Sequence, residues 1–329
     1  MKYKAGIIGC GNIGSMIDKG PGIKPFYTHA GAYYSSPKFQ LTAACDIDPV
    51  KLKNFGQKWQ VKNLYTDFRK MLEKEKLDIL SVCTAKEQHY QIVKKLIEKG
   101  IKIIFCEKPF TGNVKKAEEL VKLCTSNKVL LAINYTRRYT LGHQKVKKII
   151  TGGELGKIQT VNCLYTKGVI NNGSHVINLL QFLFGKVKRI QALSPLTKNR
   201  EIKADYDLDL LLYFNRGFYT MIKNLKAEYY SLFEIDILGT KGRIKITESG
   251  FDIKWYRVIV SKVFPGYREL DVKGREIKHG MEEAILRALD NIVSAKDKKS
   301  TLVSPGRDAL VTLKIIDQAI KAAKEYKAM

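Results

Sequence analysis

The feature that most constrains the fold is Gly9-Cys10-Gly11-Asn12-Ile13-Gly14, a GxGxxG loop directly behind the apolar stretch Ala5–Ile8. A strand that runs into such a loop is how a dinucleotide-binding βαβ unit opens. The glycines allow a tight turn and let the backbone come close to a pyrophosphate at a helix N-terminus. Alone, the pattern also fits an ordinary glycine-rich turn. The surrounding sequence argues for the first reading. Apolar runs recur at Tyr3–Gly9, Gln40–Asp46, Ile79–Thr84, Lys102–Cys106 and Val129–Asn134. Between the later ones, Val50–Lys58, Tyr90–Lys99 and Asn113–Asn127 carry apolar residues at helical spacing, as Ile92, Val93, Leu96 and Ile97 do. Strands alternating with helices predict a parallel sheet, so residues 1–135 are expected to form a Rossmann domain.

From about Thr136 the texture changes. Ile158–Thr166, Leu208–Phe214, Tyr219–Asn224, Glu234–Gly239 and Arg243–Thr247 read as longer, alternating strands, and Asn215-Arg216-Gly217 and Thr240-Lys241-Gly242 read as hairpin turns. Pro305 is predicted to open a last helix carrying Ala309, Leu310, Leu313, Ile316, Ile320 and Ala323 on one side. The fold class expected is α/β, with an N-terminal Rossmann domain and a C-terminal α+β domain built on a large, mostly antiparallel open sheet. Residues 136–329 are assigned to substrate binding and oligomerisation. A broad sheet with one obvious helical cover leaves a face that a second copy can bury, so a homodimer or homotetramer is predicted.

The second half of the dinucleotide signature is Asp46, at the end of the second strand. A carboxylate there accepts the ribose hydroxyls of NAD and repels the 2′-phosphate of NADP, so NAD is the expected cofactor. Gly14 to Asp46 is longer than the usual spacing of about 20 residues. The excess lies in Ile17–Tyr27, with Gly20-Pro21-Gly22 and Pro25, and is read as an extra loop near the cofactor or the mouth of the active site.

The remaining bulk properties narrow the classes. With 329 residues and 45% hydrophobic composition the chain affords about two packed domains. No apolar run reaches the ~18 residues of a membrane span, and no signal peptide is apparent. The six cysteines form no CxxC pair and sit in apolar segments, as buried free thiols do in a reducing cytoplasm. The few histidines show no metal-ligand spacing, so no metal is expected. A net charge of +26 invites a nucleic-acid reading. The basic residues are spread and interleaved with acids, as in Lys94-Lys95 before Glu98, and no nucleic-acid-binding motif appears. No nucleic-acid partner is expected; the charge suits an anionic small ligand.

Glu107-Lys108-Pro109 closes the candidate strand Lys102–Cys106. With the glycine loop it resembles the glucose–fructose oxidoreductase and inositol dehydrogenase (Gfo/Idh/MocA) family over nearly the whole chain. Thr84 to His89 is similar to the family's TPxxxH segment, with Ala85 in place of proline. Asn134–Tyr139, Gly152–Ile158 and Gly168–Asn178 match its domain junction, its lead into the second domain and the start of its catalytic helix. The resemblance implies an NAD-dependent oxidoreductase acting on a secondary alcohol or ketone of a sugar. A nucleotide-linked sugar is slightly preferred over inositol or a free sugar. It places Thr84, His89 and Glu107 with Gly9, Gly11, Asn12, Ile13, Gly14 and Asp46 at the cofactor. Lys108 is implied beside the nicotinamide and the reacting carbon, where a partly buried lysine loses basicity and can act as base or donor. His175 is implied as its partner, with Ser174 as a helix N-cap. Asn171, Arg138 and Tyr135 are implied at the substrate. Many relatives carry aspartates where this chain has Asn171 and Asn178, and asparagine orients a hydroxyl without taking its proton. A dinucleotide-binding sensor without turnover therefore stays open as the rival class.

Overall fold

The computed structural model describes residues 2–326. By its contacts the chain forms two units. The first runs to Tyr139 and takes back Glu282–Val311; the second comprises Thr140–Met281 and the chain from Thr312 on. Sequence patterning had suggested one cut near residue 135. The division is discontinuous because Ile285, Ala288, Leu289 and Ile292 are core residues of the first unit. The segment behind them is tied there as well: Ile133 N–H donates to the Ser304 carbonyl at 2.9 Å.

The first unit is a six-stranded sheet of β1 (Tyr3–Ile8), β2 (Phe39–Cys45), β3 (Asn63–Tyr65), β4 (Ile79–Val82), β5 (Ile103–Cys106) and β6 (Leu130–Ile133). Their order is β3-β2-β1-β4-β5-β6, and every pairing is parallel. β4 and β5 are buried along their whole length, as central parallel strands covered on both faces are. The connecting helices are α1 (His29–Ser35), α2 (Pro49–Trp59), α3 (Phe68–Lys74), α4 (Lys86–Glu98) and α5 (Val114–Ser126). Their starts are written locally. The Asp48 carboxylate accepts from Val50 and Lys51 N–H ahead of Pro49 at the first turn, and Asn113 accepts from Lys116 N–H. In this order the strand sequence reverses between β1 and β4, which opens a crevice at their carboxyl ends.

The second unit contains α6 (Leu141–Thr151), β7 (Ile158–Tyr165), α7 (Ser174–Phe184), β8 (Val187–Ala192) and the short pair β9 (Thr197–Lys198) and β10 (Tyr206–Asp207). There follow β11 (Leu210–Phe214), β12 (Tyr219–Asn224), β13 (Phe233–Gly239), β14 (Gly242–Thr247), β15 (Asp252–Val260), β16 (Arg268–Leu270) and β17 (Arg275–Glu276). The large sheet runs β16-β15-β14-β13-β7-β12-β11-β8, with β17 beside β15. Only the β7–β12 pair is parallel, matching the mostly antiparallel expectation. Inward residues such as Ile222, Phe233, Ile235 and Ile237 meet Val146 and Ile149 of α6, Val176, Ile177 and Leu180 of α7, and Ile316 and Ala319. The last two belong to α9 (Gly306–Lys324), which starts immediately after Pro305. The cover is thus three helices rather than the single one the sequence made obvious. Of these, α6 carries no signal that the sequence reading picked out, whereas α7 is the helix expected to start near Ser174. The remaining helix, α8 (Ala284–Lys296), belongs to the first unit.

Candidate active site

The glycine loop forms because no side chain fits there. Gly9 has φ +100°, and a Cβ on it would meet the Cys83 carbonyl carbon at 2.7 Å. A Cβ on Gly14 would lie 2.2 Å from the Gly9 carbonyl oxygen, whereas one on Gly11 would meet nothing within 4 Å. Gly9 and Gly14 therefore close the turn, and Gly11 presents bare backbone to open space. The turn leads into a single π-helical turn, Asn12–Met16, instead of the α-helix expected there. Asn12 is exposed and Ile13 half-buried.

The cause of the break is the Ile17–Tyr27 segment, which splits the helix. Asp18, 3% exposed, pins it: its carboxylate accepts from Tyr27 N–H at 2.6 Å and from the Thr28 hydroxyl at 2.6 Å. Thr28 in turn caps α1 by accepting from Gly31 N–H at 3.1 Å. Lys58 bonds the Ser15 carbonyl at 3.1 Å and also that of Asp18.

Asp46 is fixed by the same loop. One carboxylate oxygen accepts from Cys10 N–H at 2.7 Å and the other from Asp48 N–H at 2.9 Å. A carboxylate has about four lone-pair positions, so acceptor capacity remains for ribose hydroxyls. Asp46 lines a cleft of about 850 Å³ with Gly9, Gly11, Thr84, Lys51 and Arg69. Lys51 is paired with Asp48 at 3.4 Å and Arg69 with Asp67 at 3.5 Å. A 2′-phosphate would have to draw one of these cations from its own carboxylate while facing Asp46. The open side of Gly11, the closed sides of Gly9 and Gly14, and the acceptor at the end of β2 fit a dinucleotide carrying a free ribose diol.

At the end of β5 the sequence Glu107-Lys108-Pro109 forms a second cluster. Glu107, 7% exposed, accepts from Asn134 at 2.6 Å, from His29 Nε2–H at 2.9 Å and from Lys108 N–H at 3.3 Å. His29 is itself fully buried, with Nδ1 2.8 Å from the Ser81 hydroxyl, which also meets the Tyr33 hydroxyl at 2.8 Å. Burial alone pushes the Glu107 carboxyl up. The bonds and charge of His29, the Asn134 amide and the Lys108 charge outweigh it and hold the group below its usual range. Lys108 is half-buried, and its peptide bond to Pro109 is cis.

His89, implied at the cofactor, is fully buried. Its ring lies between carbonyl oxygens, with Nε2 2.9 Å from Thr84 and Nδ1 3.0 Å from Pro109. It ties the loop after β4 to the loop after β5, so its reach toward any ligand passes through those loops. Tyr135 is 4% exposed and Arg138 3% exposed. Arg138 bonds Asp308 at 2.5 Å and the Val303 carbonyl at 3.2 Å, so part of its donor set holds the returning segment. Burial lowers the neighbouring Arg137 to about 10, which still leaves it charged at neutral pH.

In the second unit, Asn171 and His175 share one feature, the π-helical turn Gly168–Gly173 running straight into α7. Ser174 lies inside the helix and is not its cap: its hydroxyl donates to the Asn171 carbonyl at 2.7 Å, and Gly173 stands at the cap position. From Gly173 to Leu180 every residue is buried except His175. Asn178 is 1% exposed and donates to Thr312 of α9 at 2.9 Å, a helix-packing bond. The two asparagines therefore stand in different settings. Sequence reading missed Asp205, whose buried carboxylate underlies this turn; it sits in a polar stretch with no motif around it. The Glu107 network had one legible signal, polar residues at the carboxyl ends of parallel strands.

All six cysteines are free and buried, and burial raises their thiols far above the range in which they react. Among the described residues no group of three or more His, Cys, Asp or Glu is placed to hold a metal, and no helix is long and apolar enough to cross a membrane.

Two family models match the chain. One, described as an oxidoreductase family with an NAD-binding Rossmann fold, covers residues 3–135. Its partner, the C-terminal alpha/beta domain of the same family, covers residues 147–329. D-apiose dehydrogenase of Paraburkholderia graminis is 23% identical over 270 residues, 75% of this chain and 68% of that protein. Myo-inositol 2-dehydrogenase of Thermotoga maritima is 23% identical over 260 residues, 73% of this chain and 74% of that protein. The crystal structure of the WlbA dehydrogenase from Bordetella pertussis, in complex with NADH and UDP-GlcNAcA, superposes with a TM-score of 0.78 at 21% identity, covering 99% of this chain and 97% of that one. That last likeness is one of fold. With both family domains matched in order over nearly its full length, the chain belongs to the Gfo/Idh/MocA family of NAD-binding oxidoreductases.

Proposed function

We propose that the protein is an NAD-linked dehydrogenase of a secondary alcohol on a sugar, with a nucleotide-linked sugar as the preferred class. The observation that carries the reading is Lys108, half-exposed at the carboxyl end of β5 and held by its N–H to Glu107, on the same edge of the sheet as the glycine loop and Asp46. Oxidising a secondary alcohol removes a hydride from carbon and a proton from oxygen. NAD, when bound, supplies the hydride acceptor. Gly9, Gly11 and Gly14 shape the pyrophosphate seat, with Asn12 and Ile13 on its turn, and Asp46 takes the ribose. Thr84 borders the same cleft, and His89 and Glu107 act through the loops they hold. Lys108 takes the hydroxyl proton or returns it in the reverse direction, and His175 is its partner in that transfer. Asn171 orients a substrate hydroxyl, and Tyr135 and Arg138 complete the substrate contacts.

Two considerations support an anionic, nucleotide-linked substrate. The net charge of +26 collects anions, and a protein of the same fold is crystallised with a sugar nucleotide. Inositol or a free sugar is the second reading, motivated by the relatives whose names specify such substrates.

The test is stopped-flow reduction of NAD over a panel of sugars and sugar nucleotides. Lys108→Met keeps most of the aliphatic stem, so the fold and NAD affinity should survive while hydride transfer falls about 10²–10⁴-fold. His175→Ala should also slow turnover. If the two share one relay, the double variant will be little worse than the poorer single one. Near-normal transfer in Lys108→Met would remove Lys108 from the chemistry. Absence of NAD reduction with every compound would favour a sensor.

A further inference from the structure

The turn that carries Asn171 has an unusual foundation. Lys167 and Gly168 both take left-handed backbone, at φ 65° and φ +75°. A Cβ on Gly168 would lie 2.3 Å from the Asp205 carboxyl carbon and 2.5–2.6 Å from its two oxygens. The chain can follow this path only with no side chain at 168, and what fills the space is the Asp205 carboxylate. Asp205 is 2% exposed. One oxygen accepts from Ile170 N–H at 2.8 Å and from its own neighbour Tyr206 N–H at 2.7 Å; the other accepts from Asn171 N–H at 2.8 Å. The far side is anchored too: Asn199 N–H donates to the Asp205 carbonyl at 2.9 Å, and the Asn199 amide donates to Asp207 at 2.6 Å. The β9–β10 pair thus delivers one carboxylate underneath the turn.

We propose that Asp205 is a positioning residue for the substrate site: its carboxylate, seated under Gly168, fixes the backbone of Ile170 and Asn171 and thereby the side chain of Asn171 and the start of the helix that bears His175. Bonds from backbone N–H to an ionised carboxylate are among the stronger hydrogen bonds in proteins. A buried carboxylate that loses them has no cheap alternative, so the turn and Asp205 hold each other in one arrangement. The acid enters this turn from the β9–β10 segment and grips its backbone, while the side chain carried by the turn itself is an amide. The inference rests on the reading that Asn171 and His175 meet the substrate.

The experiment uses the full-length protein with NAD. In Asp205→Asn an amide N–H faces one of the N–H groups the carboxylate served. Hydrogen exchange at Ile170 and Asn171 should then accelerate at least tenfold, with exchange in β7 unchanged. With a substrate from the panel, kcat should fall at least tenfold while KM changes less than threefold and NAD affinity is retained, because the cofactor cleft is built from the first unit. Gly168→Ala is the second variant. It leaves the charge in place but crowds it, and the same fall in kcat is expected, which keeps the test decisive if Asp205→Asn does not fold. Wild-type kcat in either folded variant, or unchanged exchange at 170 and 171 in Asp205→Asn, overturns the proposal. A wild-type protein that reduces NAD with no sugar overturns the reading of function, and the exchange measurement then still decides whether Asp205 holds the turn.

Discussion

A carboxylate as buried as Glu107 persists only if its neighbours replace the water it has lost. His29, Asn134 and the Lys108 N–H do so, and the bonds and charge of His29, the Asn134 amide and the Lys108 charge hold its titration below the usual range against the opposing effect of burial. The sign of the pH effect follows. A depressed native value means the stabilisation is complete above the unfolded value of about 4.3 and is lost as pH falls through the lower native value. Glu107→Gln keeps the shape and an acceptor but loses the charge, so it should destabilise by about 1–3 kcal/mol at pH 7. The gap to wild type should close below about pH 4. Denaturant unfolding of both proteins across pH 3–7 measures this; a constant gap would show that the charge is not what stabilises. At this scale the sequence was informative in part. Glu107 and Lys108 stood in a short motif, but no motif marks His29 as the partner of a residue 78 positions away. Asn171 and Asn178 looked equivalent as letters, and only packing separates the one on the turn from the one bonded to Thr312.

The elements of the first sheet were legible because their signal is local and repeated. β1, β2, β4, β5 and β6 fall within two residues of their apolar runs; α5 lies within its helical period, α2 overruns its own by one residue at each end, and α4 starts four residues ahead of its own. β3, only three residues long, carries too few positions to show a period. The extra loop Ile17–Tyr27 was legible from its length and its Gly and Pro residues, but a glycine pattern says nothing about how far the helix behind it continues. Here Asp18 and Lys58 hold the chain in a loop after one turn. The glycine turn and β2 nevertheless act as one piece, since Asp46 is hydrogen-bonded to the backbone of Cys10. Cofactor choice belongs to that piece. NAD should bind at least tenfold more tightly than NADP, about 1.4 kcal/mol, and Asp46→Ala should narrow the ratio. Calorimetric titration of both cofactors checks it, and equal affinities in the wild type would take the specificity away from Asp46.

At the scale of the molecule, the second unit shows one well-covered sheet face and one that is not fully covered. On β12, Thr220 and Ile222 point inward, while Tyr219 and Met221 remain 49% and 40% exposed. Their face also carries the Asp236–Arg243 ion pair, so it is a mixed polar and apolar surface. Where β15 turns into β16, Val260, Val263, Phe264 and Tyr267 are each at least 61% exposed. Such a surface suits a two-fold interface of at least about 1,000 Å². Light scattering at micromolar concentration should find a dimer or a dimer of dimers, weakened by Tyr219→Asp with Met221→Lys; a stable monomer would contradict it. The return of Glu282–Val311 to the first unit carries a consequence for biosynthesis. All six strands of the first sheet have been synthesised once Ile133 is made, but the core they enclose also needs Ile285, Ala288, Leu289 and Ile292. That helix follows about 150 residues later, a delay of roughly 8–30 s at typical rates of about 5–20 residues per second. Through that interval the nascent cofactor-binding half exposes apolar surface that only α8 can cover. It is begun first, yet it cannot close until most of the other unit has been synthesised.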